Sequence, residues 1–125
     1  GYKYSFLMLN LSCAIVEDDD LTRTILDTWA AKTGQLQVKA KFASAREALT
    51  WLSTQDVDVL LVDVEMPGMT GLELIRQLHF IPEVVVVSAK ADYAVDAFEL
   101  NVADYLLKPL NDYLRFQTAI DKAVL

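Results

Sequence analysis

Four charged residues stand at the ends of strand-like apolar runs in this sequence. They are Glu17, Asp18, Asp63 and Lys108. Buried parallel strands bring their carboxyl ends to one edge of an α/β sheet, and ligands bind in the crevice that forms there. The pattern therefore predicts that three carboxylates and one lysine meet at a single functional site.

The chemistry of such a site follows from its charges. Three converging carboxylates repel one another, and either protonation or a hard cation relieves the repulsion. Because oxygen ligands favour Mg²⁺ or Mn²⁺, we predict that Glu17, Asp18 and Asp63 form a divalent metal site. The Lys108 ammonium group suits a phosphoryl oxygen. Ser88, which follows the fourth apolar run, adds a hydroxyl donor.

These groups suit in-line attack of a carboxylate on phosphorus, which gives an acyl phosphate. We interpret Asp63 as the nucleophile, because it ends the central strand and precedes the turn Pro67-Gly68, which exposes it. A divalent ion beside it would neutralise the charge that develops on the equatorial oxygens. The predicted chemistry is phosphoryl transfer to an aspartate.

Five apolar runs alternate with five helix-like segments along the chain. The runs predict strands at residues 11–16, 36–42, 57–62, 84–87 and 103–107. Helical spacing predicts helices at 20–32 and 91–100, helices opened by Ser44 and Thr70 that run through Leu52 and Leu78, and a last helix from Asn111 to Val124. Strict alternation predicts a doubly wound parallel sheet of the α/β class, with helices on both faces.

Polar residues mark the starts of three of these helices. Ser44 and Thr70 are each followed three residues later by a glutamate, which is the signature of a capping box. Asn111 is predicted to cap the last helix through its side chain. These signals place the loops that connect the helices to the strands.

Composition limits the kind of protein that carries this site. At 125 residues and 54% hydrophobic content, the chain is long enough for one domain with a full core. We assign residues 11–125 to that domain and residues 1–10 to a cloning remnant or a loose extension. Eighteen acidic and eleven scattered basic residues give a net charge of −7, which argues against direct binding of nucleic acid.

The cellular location is predicted from two further features. Cys13 is the single cysteine, which excludes an internal disulfide and suits a reducing compartment. No apolar stretch approaches the roughly 20 residues that span a bilayer. We therefore predict a cytoplasmic protein without membrane contact.

Several motifs together resemble the receiver domain of two-component response regulators. They are residues 17–19, 63–71, 88–89 and 105–109, in this order and at these separations. The resemblance covers about residues 11–125 and implies a flavodoxin-like (βα)5 fold with sheet order 2-1-3-4-5. Residues 88–101 further resemble receivers that precede a LytTR-type DNA-binding domain.

The resemblance implies a role for each acidic residue of the site. Asp63 would be the phosphoacceptor, and Asp18, Asp63 and the backbone carbonyl of Glu65 would bind Mg²⁺. Glu17 would act on the ion through water. Glu17 stands where many family members have aspartate, so its longer side chain alters its reach to the ion.

The same resemblance implies contacts and a switch around the phosphoryl group. Ser88 and Lys108 would contact the group, Ser88 and Tyr105 would form the switch, and the peptide bond between Lys108 and Pro109 would be cis. Ser88 replaces the commoner threonine and lacks the methyl group that restricts the rotamer.

Two residues are predicted to modulate the lifetime of the phosphoryl group. Glu65 and Lys90 lie two residues beyond Asp63 and Ser88, respectively, so both should flank the mouth of the site. Their opposite charges could pair across the opening and obstruct hydrolytic water.

The resemblance also implies the partners of the chain. A histidine kinase or a phosphotransfer protein would donate the phosphoryl group, and a C-terminal output domain outside these residues would act on transcription. A homodimer would form through the fourth helix, the fifth strand and the last helix. The chain would be no enzyme toward external substrates and would catalyse only its own phosphorylation and dephosphorylation.

Two other functions stay open at this point. An aspartyl-phosphate hydrolase typically has a second acid two residues after its nucleophile, where Glu65 stands, but Met66-Pro67 follows and a cap domain does not fit in the length. A pseudo-receiver would bind partners without being phosphorylated, although every chemical residue is retained. Mg²⁺ binding with labelling by a small phosphodonor separates a receiver from a pseudo-receiver. Turnover of an external phosphate ester would favour the hydrolase.

Overall fold

The computed structural model describes residues 10–125, so the predicted extension lies outside the described residues except for Asn10. Within this range the strands are β1 (Leu11–Val16), β2 (Leu36–Phe42), β3 (Val59–Asp63), β4 (Glu83–Ser88) and β5 (Asp104–Leu107). The helices are α1 (Asp20–Lys32), α2 (Ala45–Leu52), α3 (Gly71–Gln77), α4 (Ala94–Glu99) and α5 (Tyr113–Val124). Of the helices in this range, none has the length and apolar character needed to cross a bilayer.

The strands form one parallel sheet in the order β2-β1-β3-β4-β5. This order confirms the predicted flavodoxin-like, doubly wound α/β fold. The strand order reverses between β1 and β3, and such a reversal opens a crevice at the carboxyl ends of the strands. The register pairs Val16 with Val62 and Asp63 with Val87, so the residues after β1 and at the end of β3 reach the same edge.

The core has two parts, one on each face of the sheet. Helices α1 and α5 cover one face, where Ile15, Leu61 and Phe116 are fully or nearly fully buried. Helices α2, α3 and α4 cover the other face, around Val62 and Ile75. Because every residue of β3 is buried, and each large apolar side chain there contributes about 1.5–3 kcal/mol, β3 is a firm support for the aspartate at its end.

The third strand begins at Val59, later than the predicted range 57–62, and it includes Asp63. The preceding residue, Asp58, pairs with Ser12 through side chains as well as through the backbone. Asp58 Oδ2 accepts hydrogen bonds from the Ser12 N–H and hydroxyl at 2.9 and 3.0 Å, and the Asp58 N–H donates to Ser12 Oγ at 2.9 Å. The Asp58 N–H also donates to the Ser12 carbonyl at 3.0 Å, so side-chain bonds add to the backbone pairing at this point.

Two predicted helices differ in detail from the structure. Asp112, and not Asn111, caps α5, because the Asp112 side chain accepts the Arg115 N–H at 3.1 Å. The predicted helix 91–100 divides into a 3₁₀ turn at Ala91–Tyr93 and the shorter helix α4. It ends before Asn101, whose φ of 62° lies in the left-handed region that asparagine tolerates.

One of the two predicted capping boxes is complete. Thr70 accepts the Glu73 N–H, and the Glu73 side chain accepts the Thr70 N–H in return. At α2 the Ser44 hydroxyl accepts the Glu47 N–H at 3.3 Å, which is half of the predicted box. The complete box fixes the start of α3, directly beside the end of β3.

Gly71, the first residue of α3, lies against the backbone of the site. A Cβ at this position would come 2.0 Å from the Asp63 carbonyl oxygen and 2.9 Å from Val62 Cγ2. The Gly71 N–H also donates to the Val64 carbonyl at 3.0 Å. The missing side chain therefore lets α3 approach the end of β3 and position the loop after Asp63.

We expect Gly71→Ala to lower the free energy of unfolding by about 1–3 kcal/mol in urea denaturation, because the added methyl group forces the backbone around Asp63 to shift. Gly34→Asn is the matched control. Nothing lies within 4 Å of a Cβ at Gly34, and asparagine tolerates its left-handed backbone, so the loss should stay under about 1 kcal/mol. A Gly71→Ala protein as stable as wild type would contradict this role of the glycine.

Candidate functional site

The structure brings the three predicted carboxylates together at the carboxyl edge of the sheet. Glu17 follows β1 and is fully buried, Asp63 ends β3 and is 3% exposed, and Asp18 is exposed. One carboxylate oxygen from each residue lies within 4.8 Å of the others. Two buried acids and one exposed acid therefore share one edge of the sheet, which is the arrangement that the strand ends predict.

Lys108 lies between the two buried acids. Its Nζ is 2.9 Å from Glu17 Oε1 and 3.2 Å from Asp63 Oδ2. The Lys108 N–H donates to the Ser88 carbonyl at 2.8 Å, and the peptide bond to Pro109 is cis. The lysine is thus attached to β4 through its backbone while its side chain crosses the site.

Burial destabilises the charged forms of the ionisable groups in this cluster. It raises the pKa of Glu17 to about 7, against the opposing attraction of Lys108. Burial likewise raises the pKa of Asp63, which Lys108 lowers only in part. Burial opposes the charge of Lys108, but its contacts with Glu17 and Asp63 raise its pKa. One ammonium group does not fully compensate three carboxylates.

The donor set fits a hard divalent cation. Glu17 Oε2 accepts the Asp19 N–H at 3.1 Å, whereas the buried Glu17 Oε1 has no hydrogen-bond partner among residues 10–125 beyond its ion-pair contact with Lys108 Nζ at 2.9 Å. A buried carboxylate oxygen that shares a single ammonium group with Asp63, grouped with two further carboxylates, matches the ligands that Mg²⁺ and Mn²⁺ prefer. Glu17, Asp18 and Asp63 could hold such an ion.

Ser88 and Tyr105 contact the same stretch of backbone. Ser88 is fully buried at the end of β4, and its Oγ accepts the Lys90 N–H at 3.1 Å. The buried Tyr105 hydroxyl donates to the Lys90 carbonyl. The two predicted switch residues are therefore joined through the Lys90 peptide groups, a link that residue spacing does not reveal.

The side chains of Glu65 and Lys90 face each other at the surface. Lys90 Nζ lies 3.6 Å from Glu65 Oε1, and both side chains are substantially exposed. The opposite charges thus come together as expected from their positions, two residues beyond Asp63 and Ser88. An exposed pair of this kind contributes little to stability.

Arg23 supports the acidic loop, and the sequence analysis did not identify it. Its Nη1 donates to the Glu17 carbonyl at 2.8 Å, and its Nη2 contacts the Asp20 carboxylate. The spacing of three residues between Asp20 and Arg23 is typical of a helical ion pair. That spacing signals a surface pair on α1 but gives no hint of the contact with the Glu17 backbone.

Comparisons with known proteins agree with this geometry. Residues 13–120 match the family model of the response regulator receiver domain. An uncharacterized response regulatory protein of Vibrio cholerae is 38% identical over 103 residues, which are 81% of this chain and 44% of the relative. The transcriptional regulatory protein NatR of Bacillus subtilis is 35% identical over 98 residues, which are 76% of this chain and 42% of NatR. The chain thus spans less than half the length of these curated relatives.

A solved structure agrees over nearly the whole chain. The response regulatory domain of protein mrkE from Klebsiella pneumoniae superposes with a TM-score of 0.83 at 29% sequence identity. The match covers 90% of this chain and 94% of the mrkE chain. Sequence and structure therefore agree on the family.

The raised pKa of Glu17 predicts how stability varies with pH when divalent ions are chelated. With a pKa of about 7 in the native state and 4.5 as the ordinary value, the native state holds the proton more tightly. Stability therefore falls as pH rises through this window. We expect Glu17→Gln to be more stable than wild type at pH 8, by about 1 kcal/mol or more, and to lose this advantage toward pH 5.

Urea denaturation in a chelator at both pH values measures this difference. Glu99→Gln, which changes an exposed glutamate on α4, is the matched control and should show no such advantage. An advantage of Glu17→Gln that is the same at both pH values would contradict the electrostatic explanation.

Proposed function

The chain belongs to the response regulator receiver domain family, and from this premise we propose that Asp63 accepts a phosphoryl group in two-component signalling. The donor would be a phosphohistidine of a histidine kinase or of a phosphotransfer protein. The observation that carries the proposal is the position of Asp63, at the end of the buried central strand with Lys108 Nζ 3.2 Å from its carboxylate.

The proposed reaction is a single displacement at phosphorus. An Asp63 oxygen attacks in line and forms an O–P bond, while the P–N bond to the donor imidazole breaks and the imidazole leaves with the electron pair of that bond. Lys108, already beside Asp63, would bind a phosphoryl oxygen and hold it in position. The Ser88 hydroxyl would donate a hydrogen bond to a second phosphoryl oxygen. The product is an acyl phosphate on Asp63.

We propose that Glu17, Asp18 and Asp63, with the backbone carbonyl of Glu65, hold Mg²⁺ or Mn²⁺. When bound, the ion supplies neutralising charge to the carboxylates and to the transferred group. Arg23 would keep the Glu17 backbone in place through its 2.8 Å hydrogen bond. Glu17 would act through water.

The proposed switch begins at Ser88. A phosphoryl oxygen would draw the Ser88 hydroxyl away from the Lys90 N–H, which it now accepts at 3.1 Å. The Lys90 peptide groups, which also accept the Tyr105 hydroxyl, would then rearrange. Such a local packing change can produce a second arrangement of the α4 and β5 surface.

Further partners are proposed in addition to the phosphoryl donor. Because the chain covers less than half of its relatives, we propose that an output domain follows it in the full protein and acts on transcription, as the name of NatR suggests for that relative. With a net charge of −7, the receiver itself would not contact nucleic acid. A homodimer through α4, β5 and α5 and a cytoplasmic location complete the proposal.

We expect wild type to gain one phosphoryl group by intact-mass spectrometry after incubation with acetyl phosphate and Mg²⁺. Asp63→Asn should gain none, because it keeps the shape and removes the nucleophile, and chelation of the metal should suppress labelling of wild type. Asp96→Asn, which changes an exposed aspartate on α4, is the control and should label as wild type does.

Three results would contradict this function. Equal labelling of Asp63→Asn would remove Asp63 as the acceptor. Absence of labelling in wild type would favour a pseudo-receiver that only binds partners. Turnover of an external phosphate ester such as p-nitrophenyl phosphate would favour a hydrolase.

Glu65 and Lys90 are proposed to control the lifetime of the phosphoryl group. We expect Glu65→Ala and Lys90→Ala each to speed dephosphorylation by up to about fivefold, since an exposed pair is worth at most about 1 kcal/mol. The double variant should show less than the product of the two effects, because both changes open the same path for water. Rates of dephosphorylation after removal of the donor measure this, and unchanged rates in both single variants would rule the pair out.

A further inference from the structure

Asp104, the first residue of β5, is a buried carboxylate at the opposite end of the strand from Lys108. It is 4% exposed. Arg115 donates to both of its oxygens, at 2.6 and 2.9 Å, and Lys122 Nζ donates to Oδ2 at 3.2 Å. Both cations belong to α5, so this carboxylate attaches the last helix to the edge strand.

Both oxygens of the Asp104 carboxylate have hydrogen-bond donors, in contrast to the acids of the phosphorylation site. Burial disfavours the charge of Asp104, but the hydrogen bonds from Arg115, the Tyr105 N–H and Lys122 hold its pKa below the ordinary value. A bidentate contact between guanidinium and carboxylate also fixes the orientation of both groups. The guanidinium plane is therefore held firmly against β5.

Arg115 makes one further contact, and it leads back to the phosphorylation site. Arg115 Nη2 lies 3.4 Å from the Tyr105 carbonyl, to which it donates. The Tyr105 hydroxyl donates to the Lys90 carbonyl, and the Lys90 N–H donates to Ser88 Oγ at 3.1 Å. Polar contacts thus join Ser88 to the Tyr105 hydroxyl and the Tyr105 carbonyl to α5, and the covalent frame of Tyr105 connects the two ends.

We infer that Arg115, anchored on Asp104, is a positioning residue that transmits the state of Tyr105 to helix α5. The inference rests on the proposed function, in which phosphorylation of Asp63 draws the Ser88 hydroxyl away from Lys90. A shift of the Tyr105 backbone changes the site where Arg115 donates. Because the guanidinium group is held at two points by Asp104, the helix that carries Arg115 must adjust with it.

Comparing Lys122 with Arg115 distinguishes transmission to α5 from simple attachment of the helix. Lys122 donates to the same carboxylate from the same helix, but of the two cations only Arg115 contacts the Tyr105 carbonyl as well. A helix that is only attached to β5 needs both cations for stability and neither for transmission. Spatial continuity alone does not establish coupling, so the two cations must be compared in their response to the phosphoryl group.

The test is amide NMR of wild type, Arg115→Lys, Asp104→Asn and Lys122→Met, each with Mg²⁺ and with or without beryllofluoride as a phosphate mimic. The amides of Asp63 and Ser88 report occupancy of the site, and those of Ala119, Ile120 and Ala123 report α5. In Arg115→Lys and Asp104→Asn we expect wild-type shifts at the site and α5 shifts that fall by about twofold or more. In Lys122→Met the α5 shifts should match those of wild type.

The outcomes separate the inference from the function on which it rests. If wild-type amides at Asp63 and Ser88 do not respond, the proposed function fails and the inference fails with it. If they respond but α5 does not, or if Arg115→Lys keeps the full α5 response, the inference alone is overturned. An equal loss in Lys122→Met would make the contact a simple attachment and would also overturn it. Should Asp104→Asn not fold, the comparison of Arg115→Lys with Lys122→Met decides.

Discussion

The structure depends on holding two buried carboxylates, those of Glu17 and Asp63, beside a single ammonium group. Burial raises the pKa of both acids, and Lys108 compensates them only in part. The free energy that sustains this repulsion comes from the apolar sheet, in which β3 is buried throughout. A site held in this way gains from binding a cation, because a cation relieves the repulsion between the carboxylates.

Neighbouring residues fix the backbone at that edge of the sheet. Gly71 lets α3 approach the Asp63 backbone, since any Cβ there would lie 2.0 Å from its carbonyl oxygen. Arg23 holds the Glu17 carbonyl from the other side, at 2.8 Å. The main chain beside both acids is therefore fixed by contacts that do not use the Lys108-facing carboxylate oxygens.

Most of the fold and the membership of the site could be predicted, because strand ends and helix periods are local properties of the chain. The positions of Asp63 and Lys108 followed from where apolar runs end. The cap at Asp112 did not, because the neighbouring asparagine is an equally good capping residue. The contacts of Arg115 with Asp104 and of Tyr105 with Lys90 depend on how helices and loops rotate against the sheet, which residue spacing leaves undetermined.

Asp63 at the end of β3 and Asp104 at the start of β5 form two acidic centres. Both are buried carboxylates, but their partners stabilise the charge to different degrees. Asp63 is buried with one shared lysine, and its pKa is raised. Asp104 is buried with a bidentate Arg115, and its pKa is lowered despite the burial. A carboxylate left short of partners is available for new bonds, whereas a satisfied one resists rearrangement and behaves as a rigid anchor. Tyr105 lies directly beside this anchor and bonds to the loop after Ser88, so one residue of β5 connects the two centres. The proposed transmission to α5 depends on this contrast, because only a fixed anchor makes the helix follow a movement of Tyr105.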